Sequence, residues 1–317
     1  MISFSPLTPH PLPSPLTKME QSSSTLADYL KTLPQYLMPH HLLSRLMFTV
    51  TRIGFPPWKN SLIKWFIRHY GVDMTSAEES DPTQYPDFNS FFTRALRAGV
   101  RPVAGDPAAI ACPVDGAVSQ AGDIKDRYLY QAKGREYSLS QLLAGDSRLV
   151  DMFIGGRFIT LYLSPKDYHR THLPLDGRLI KTVYVPGRLF AVNTPATRVV
   201  SSLFARNERL INVFETDAGP MALIMVGAIF VGSMETVWAG TVTPSSSRAI
   251  QTWCYEHENP GAIYFSKGAE IGRFNMGSTV IVLFGPASVC WSSELQAGTE
   301  VKMGQGIGMV KRRIATH

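Results

Sequence analysis

The part of the chain after about residue 109 consists of short apolar segments separated by glycine, proline or asparagine. Segments of this kind include residues 158–163, 182–185, 221–226, 236–239 and 279–284. Runs of four to six β-prone residues with frequent breaks are typical of strands in antiparallel sheets. The sequence therefore predicts an α+β fold in which a mainly antiparallel, barrel-like β-sheet body follows N-terminal helices.

Residues 29–70, which precede this body, carry six basic residues and no acidic one. The 317-residue chain has a net charge of +6, so its remaining residues are neutral as a set. A nucleic-acid-binding protein would spread its basic side chains over a folded face or carry a recognition motif, and neither pattern is found. An anionic membrane surface is the partner that this charge distribution favours.

Prolines divide the basic segment into two candidate helices, residues 40–52 and 58–70. The second has most of its apolar residues on one stripe: Leu62, Ile63, Trp65, Phe66 and Ile67. Such a helix can lie in a bilayer interface, with its lysine and arginine stems extended towards the surface. It can equally pack on the protein's own core with a basic outer face. Amphipathicity does not distinguish the two, so both interpretations remain open.

Three regions follow from this composition: a variable tail at 1–28, the basic segment at 29–70 and a main domain at 71–317. The tail is rich in proline and serine, which resist regular structure, and translation could start at Met1 or Met19. The uncharged stretch 218–234 is shorter than the roughly 20 apolar residues of a spanning helix and contains proline and glycine. We therefore predict two buried strands there, joined by a bend.

Two histidines, His169 and His172, lie three residues apart. On a helical turn this spacing places both imidazoles on one face, which suits a metal ion, an acid/base pair or a purely structural role. Further metal ligands are missing nearby in the sequence, so we predict no metal site. An acid/base pair and two hydrogen-bonded structural histidines remain as alternatives.

Gly277 and Ser278 stand at the start of the β-prone segment 279–284, and Asp115 stands before Gly116 at a predicted turn. A serine after glycine is a potential nucleophile beside an uncrowded carbonyl, or simply a strand residue after a bend. The second glycine of a Gly-x-Ser-x-Gly elbow is missing, which disfavours an α/β-hydrolase. Asp115 is either a turn residue or the carboxylate that orients a catalytic histidine.

Together and in this order, these motifs resemble the phosphatidylserine decarboxylases, which are pyruvoyl-dependent membrane enzymes of bacterial type made as self-processing proenzymes. The resemblance extends from about residue 29 to residue 286. Its further matching motifs are Phe88-Asn-Ser-Phe-Phe92, Arg94-Ala-Leu-Arg97, Arg101-Pro102, Gln131-Ala-Lys-Gly134, Tyr168-His-Arg-Thr-His172, Tyr184-Val-Pro-Gly187, Leu203-Phe-Ala-Arg-Asn-Glu-Arg209 and Glu235-Thr-Val-Trp-Ala-Gly240.

The resemblance implies that the Ser278 hydroxyl attacks the Gly277 carbonyl and shifts the backbone from amide to ester. Elimination then separates residues 1–277 from a small subunit, residues 278–317, and Ser278 becomes the pyruvoyl cofactor. Asp115, His172 and Ser278 match the family's processing triad, with His172 as general base and Asp115 as its orienting acid. His169 matches the residue expected to act as acid or base, or to bind the substrate carboxylate, during decarboxylation.

The activity that the resemblance implies is conversion of phosphatidylserine to phosphatidylethanolamine and carbon dioxide, through a Schiff base with the pyruvoyl group. A ketone supplies the electron sink that side chains lack. The familiar processing motif has leucine where this chain has Met276, and the two side chains are similar in volume, so we expect processing to survive.

Further expectations concern location, partners and alternative functions. The chain should be peripheral on the cytoplasmic side of the cell membrane, with both subunits made from one precursor, and a homo-oligomer stays open. A serine hydrolase using Asp115, His172 and Ser278 is one alternative, and it would keep Ser278 in an intact chain. A non-enzymatic peripheral membrane module is the other, and in that case Ser278→Ala would change nothing.

Overall fold

A computed structural model describes residues 25–132, 135–229, 233–243, 247–255, 261–275 and 278–311. Most of the predicted tail at 1–28 lies outside these ranges, as do Lys133, Gly134, Met276 and Gly277.

The helices are short, and three of them begin the described chain. They are α1 (Leu26–Thr32), α2 (His40–Val50), α3 (Pro56–Tyr70), α4 (Phe88–Phe92), α5 (Leu139–Leu142), α6 (Ser147–Phe153), α7 (Thr194–Val199) and α8 (Leu203–Arg206), with a 3-10 helix at Leu33–Tyr36. The helices predicted at 40–52 and 58–70 are confirmed as α2 and α3. Helix α3 begins earlier than predicted because Pro56 and Pro57 fit its first turn, where no backbone donor is needed. Within the described ranges, no helix has the length and apolar character required to cross a bilayer.

The strands make up most of the remaining regular structure. They are β1 (Ala109–Ala111), β2 (Gly116–Asp123), β3 (Tyr128–Ala132), β4 (Arg135–Ser138), β5 (Arg157–Leu163), β6 (Arg170–His172), β7 (Gly177–Val185), β8 (Arg209–Thr216), β9 (Gly219–Val226), β10 (Met234–Thr236), β11 (Gly240–Thr241), β12 (Gln251–Cys254), β13 (Ile263–Phe265), β14 (Glu270–Phe274), β15 (Ser278–Phe284), β16 (Val289–Trp291), β17 (Glu300–Val301) and β18 (Gly306–Val310).

These strands form a large antiparallel sheet and three smaller ones. The nine-stranded sheet has the order β12-β7-β8-β9-β15-β5-β2-β17, with β13 also paired to β7. The smaller sheets are β11-β10-β14-β6, β1-β18-β16 and the hairpin β3-β4. The mixed α+β class and the antiparallel pairing are confirmed. The barrel-like form is not found among the described strands, because the large sheet ends at two separate short edges, β12 and β17, and the other strands build separate sheets.

Strand β15 lies at the centre of the large sheet, between β9 and β5. Its residues Val280 to Phe284 are almost completely buried. The segments predicted at 158–163, 182–185, 221–226 and 279–284 are confirmed within β5, β7, β9 and β15. The segment 236–239 is strand only at its first residue, because the Thr236 hydroxyl accepts a hydrogen bond from the Ala239 backbone and turns the chain.

Helix α3 packs on α4 through a small aromatic core of its own. Ile63 and Phe66 are buried there against Phe88, Phe91 and Phe92. The apolar stripe of α3 is therefore partly used inside the protein, as one of the two interpretations required. Its outer face still presents Trp58 and Trp65, whose residues are 45% and 53% exposed.

In the sequence, the predicted cleavage position falls between a strand of the four-stranded sheet and a strand of the nine-stranded sheet. Strand β14 ends at Phe274 and β15 begins at Ser278. Strand β14 pairs with β6, which contains His172, and the Phe274 amide donates to the His169 carbonyl at 3.0 Å. The end of β14 therefore lies beside the histidine motif.

Candidate active site

His172, at the end of β6, is held through both ring nitrogens. Its Nδ1 lies 2.8 Å from the Gly268 carbonyl oxygen, and its Nε2 lies 3.0 Å from the Tyr168 hydroxyl. Since a carbonyl can only accept, Nδ1 carries the proton and Nε2 keeps its lone pair, as a general base requires. Burial lowers the pKa of His172 below its usual value, which keeps the ring neutral at neutral pH.

Asp115 is buried. It lies beside β6, since the Pro113 carbonyl, two residues earlier, accepts a hydrogen bond from the His172 amide at 2.8 Å. Its carboxylate accepts hydrogen bonds from Arg101, at 2.7 Å for Nη2, and from the Met303 amide at 2.8 Å. The contact that orients His172 in this structure is the Gly268 carbonyl, not this carboxylate. The role of Asp115 as orienting acid thus stays a prediction.

Two similar turns hold these two residues. Gly268 and Gly304 both adopt left-handed backbone angles, with φ values of +81° and +85°, which glycine accepts without strain. A Cβ at Gly268 would lie 2.6 Å from a Val103 methyl, and one at Gly304 would lie 2.6 Å from the Pro102 carbonyl. The first turn supplies the carbonyl that fixes His172, and the second supplies the Met303 amide that binds Asp115.

His169 is fully buried just before β6. Its Nδ1 lies 2.8 Å from the Asp167 carbonyl, so Nδ1 carries the proton and Nε2 is an acceptor, and Nε2 has no partner among the described residues. The ring centroid lies 4.1 Å from that of Phe92 in α4. Burial lowers the pKa of His169 to about 3, so the ring is neutral at physiological pH.

Ser278 begins β15 opposite Leu163 of β5. Asn275, three residues before Ser278, and Thr279, directly after it, contain buried polar atoms that have no hydrogen-bond partner among the described residues: Asn275 Oδ1 and Thr279 Oγ1. Buried polar atoms are rarely left unpaired, so each such atom points to a group that completes it. The residues around Ser278 thus include a hydroxyl and an amide oxygen without a described partner, as expected where a further polar group is formed or bound.

Tyr168 and Arg101 lie within the site, although the sequence assigned no role to either. Tyr168 is buried, which raises the pKa of its hydroxyl, and it is the only described side chain on His172 Nε2. Arg101 binds Asp115 through both Nε and Nη2. In the sequence, only their presence in the matching motifs could have indicated a role, since no spacing rule relates either residue to its partner.

Acidification is expected to destabilise the fold through His169. Its pKa is about 3 when folded and about 6.5 when unfolded, so below pH 6.5 the unfolded chain binds a proton that the folded chain does not. Between pH 7 and pH 5 this residue alone should raise the unfolding equilibrium constant roughly 25-fold. Urea titrations of the uncut Ser278→Ala chain, with and without His169→Gln, measure it. Equal losses of stability in both chains would contradict this prediction.

The described chain has a β-rich fold, and its predicted site residues are a serine at the start of a buried strand, two buried histidines and a carboxylate held by arginine. A family model described as phosphatidylserine decarboxylase matches residues 88–309, and one described as PSD matches residues 30–71. This chain belongs to the phosphatidylserine decarboxylase family.

Several relatives carry the name phosphatidylserine decarboxylase proenzyme. The protein of Ectopseudomonas mendocina is 54% identical over 276 residues, which cover 87% of this chain and 96% of the relative. Those of Pseudomonas fluorescens and Methylococcus capsulatus are both 53% identical, over 275 and 274 residues, and these matches cover 87% and 86% of this chain and 95% and 94% of the relatives. The similarity therefore includes both the N-terminal helices and the β body.

Proposed function

We propose that this chain is a phosphatidylserine decarboxylase, a carboxy-lyase that forms phosphatidylethanolamine and carbon dioxide after cutting itself between Gly277 and Ser278. The observation that carries this proposal is the start of the buried strand β15 at Ser278, four residues after Phe274, whose amide donates to the His169 carbonyl at 3.0 Å. Purified protein mixed with phosphatidylserine vesicles should release carbon dioxide and phosphatidylethanolamine in equal amounts. Release of fatty acid or free serine instead would indicate a hydrolase.

Self-cleavage needs a base for the Ser278 hydroxyl. The proton acceptor is Nε2 of His172, whose lone pair accepts a hydrogen bond from the Tyr168 hydroxyl. The serine proton therefore reaches Nε2 either by way of this hydroxyl or after the hydroxyl has moved away. The serine oxygen bonds to the Gly277 carbonyl carbon and the C–N bond breaks, which leaves an ester and a free amine. Loss of the serine α-proton breaks the Cβ–O bond, which releases residues 1–277 with a new carboxylate and leaves a dehydroalanine. The imine form of this residue then adds water and loses ammonia, which leaves a ketone.

The ketone left at position 278 supplies a sink for the electron pair that remains when carbon dioxide departs. His169 would then move the proton. Its bare Nε2 faces no partner among the described residues, and an arriving carboxylate would raise its pKa and favour protonation. That proton can afterwards pass to the carbon that has lost its carboxylate. Phe92, packed on the ring, excludes water from this side.

We further propose that α1 to α3 place the enzyme on the cytoplasmic side of the cell membrane, as a peripheral protein. Among the described residues, twelve of the 21 exposed large apolar side chains belong to residues 26–70. Lys31, Arg45, Lys64 and Arg68 of this segment are exposed. The other two cations serve the fold: Lys59 binds the Thr83 carbonyl at 2.8 Å, and Arg52 lies 3.8 Å from Glu235. Apolar side chains with cations at their margin suit an anionic lipid surface.

Replacing both Trp58 and Trp65 with serine is expected to weaken binding to phosphatidylserine-containing vesicles by roughly tenfold or more, because two aromatic side chains lose their apolar contact. Vesicle co-sedimentation measures the partition. The control is Trp253→Ser, since Trp253 is also exposed but lies on edge strand β12. Equal weakening of vesicle binding in the control and in the double variant would contradict the assignment of α1 to α3 as the membrane-binding face.

A further inference from the structure

We infer that a polar cavity between the end of α3 and Asp115 binds the phosphodiester of the phospholipid head group. The cavity has a volume of about 160 Å³, and its lining includes Gly71, Arg94, Lys166 and Lys302. This inference rests on the proposed function and adds to it the residues that would recognise the phosphate.

The acidic side chains that line the cavity are already supplied with donors. Asp73 accepts hydrogen bonds from the Thr75 amide and hydroxyl, at 2.8 and 2.7 Å. Asp167 accepts from the Ser164 amide and hydroxyl, both at 2.7 Å. Asp115 accepts hydrogen bonds from Arg101 and from the Met303 amide, as described above. These three carboxylates therefore have little remaining demand for a cation.

The cations of the cavity are less well supplied. Arg94 is 4% exposed and donates from Nη2 to the Lys166 carbonyl at 3.1 Å, while its Nε has no hydrogen-bond partner among the described residues. Lys166 and Lys302 have half-exposed side chains and make only long ion-pair contacts, 3.8 Å to Glu300 and 3.7 Å to the buried Asp115. An unpaired buried donor is costly, and a phosphate oxygen is the charge-assisted acceptor that would satisfy it.

The position of the cavity agrees with the reach of the substrate. Asp115 directly precedes β2, which is two strands from β15 in the sheet, so it lies roughly 10 Å across the strands from the cleavage position. Four covalent bonds separate the amine nitrogen of a serine head group from its phosphorus, a span of roughly 5 Å. The remaining distance is covered by the arginine and lysine side chains that contact the phosphate oxygens. On its other side the cavity reaches Gly71, at the end of α3, where the proposed membrane face begins.

The test measures binding without turnover, using the full-length Ser278→Ala chain and isothermal titration calorimetry. The probe is sn-glycero-3-phosphoethanolamine, which has the phosphodiester and the amine but no carboxylate or acyl chain. Adding Lys166→Met and Lys302→Met together should weaken its binding at least tenfold, since two charged partners are lost. Arg94→Lys should also weaken it, because lysine lacks the Nε donor. Lys125→Met, an exposed lysine outside the cavity, is the matched control.

Three outcomes would overturn the inference. One is an unchanged dissociation constant in the double lysine variant. Another is displacement of the probe by free serine as efficiently as by glycerophosphoserine, which would assign the cavity to the carboxylate. The third is tighter binding of inorganic phosphate than of the diester, which would indicate a free-phosphate site. If the natural-sequence enzyme decarboxylates vesicles while any of these holds, only the cavity assignment fails; absence of decarboxylation refutes the function itself.

Discussion

Replacing Ser278 with alanine is expected to leave a single chain of 317 residues and 35.1 kDa that never splits and never decarboxylates phosphatidylserine. The hydroxyl oxygen is the atom that attacks the Gly277 carbonyl, and no other group on that side chain can form the ester. Since the ketone also derives from Ser278, both activities should be lost completely. Denaturing electrophoresis and a vesicle decarboxylation assay measure the two losses independently.

The matched control for this change is Ser293→Ala. Ser293 is exposed and belongs to the same predicted small subunit, so its loss should leave both cleavage and decarboxylation intact. The alternative functions give different results. A serine hydrolase would show an intact chain even with Ser278 present, and a non-enzymatic membrane module would behave identically with and without it. Either pattern would overturn the self-processing account.

The two histidines should separate the two reactions. His172→Gln is expected to slow self-cleavage by roughly 10²- to 10⁴-fold, the usual contribution of a general base. His169→Gln should still cut, because His169 does not contact His172 Nε2, but decarboxylation by the cut enzyme should fall by a similar factor. Time courses of chain splitting, followed by decarboxylation rates normalised to cut protein, measure the difference.

The control for this pair is His69→Gln, since His69 lies on the exposed side of α3 and stacks on Trp65. It should cut at the natural rate and, per vesicle-bound enzyme, decarboxylate at the natural rate. If His172→Gln cut normally while His169→Gln did not, the roles assigned to the two residues would have to be exchanged. If neither change affected either reaction, the histidines would be structural.

Local sequence patterns predicted the elements that carry the site. The β-prone runs located β5, β9 and β15, and proline punctuation located α2 and α3, because these signals depend on neighbouring residues. The same patterns gave a barrel-like body, which is wrong for the described strands. Periodicity reports which residues are buried, and it does not report which strands pair or where a sheet ends.

The contacts that set the chemistry could not be predicted in the same way. His172 is oriented by the carbonyl of Gly268, 96 residues along the chain, and Asp115 is bound by the amide of Met303, 188 residues away. Backbone groups have no residue-type signature, so such partners appear only in the folded chain. Lys59 and Arg52 illustrate the same limit, since their charges were counted towards the membrane face but are used within the fold.

Intact mass of the purified protein under denaturing conditions tests the central claim most directly. The account predicts two polypeptides, residues 1–277 and residues 278–317, with the smaller one lacking a free N-terminal amine. The order of the large sheet predicts that both stay together until denatured, because β15 lies between β9 and β5 of the larger subunit. A single unmodified chain of 35.1 kDa from a preparation that decarboxylates phosphatidylserine would contradict it.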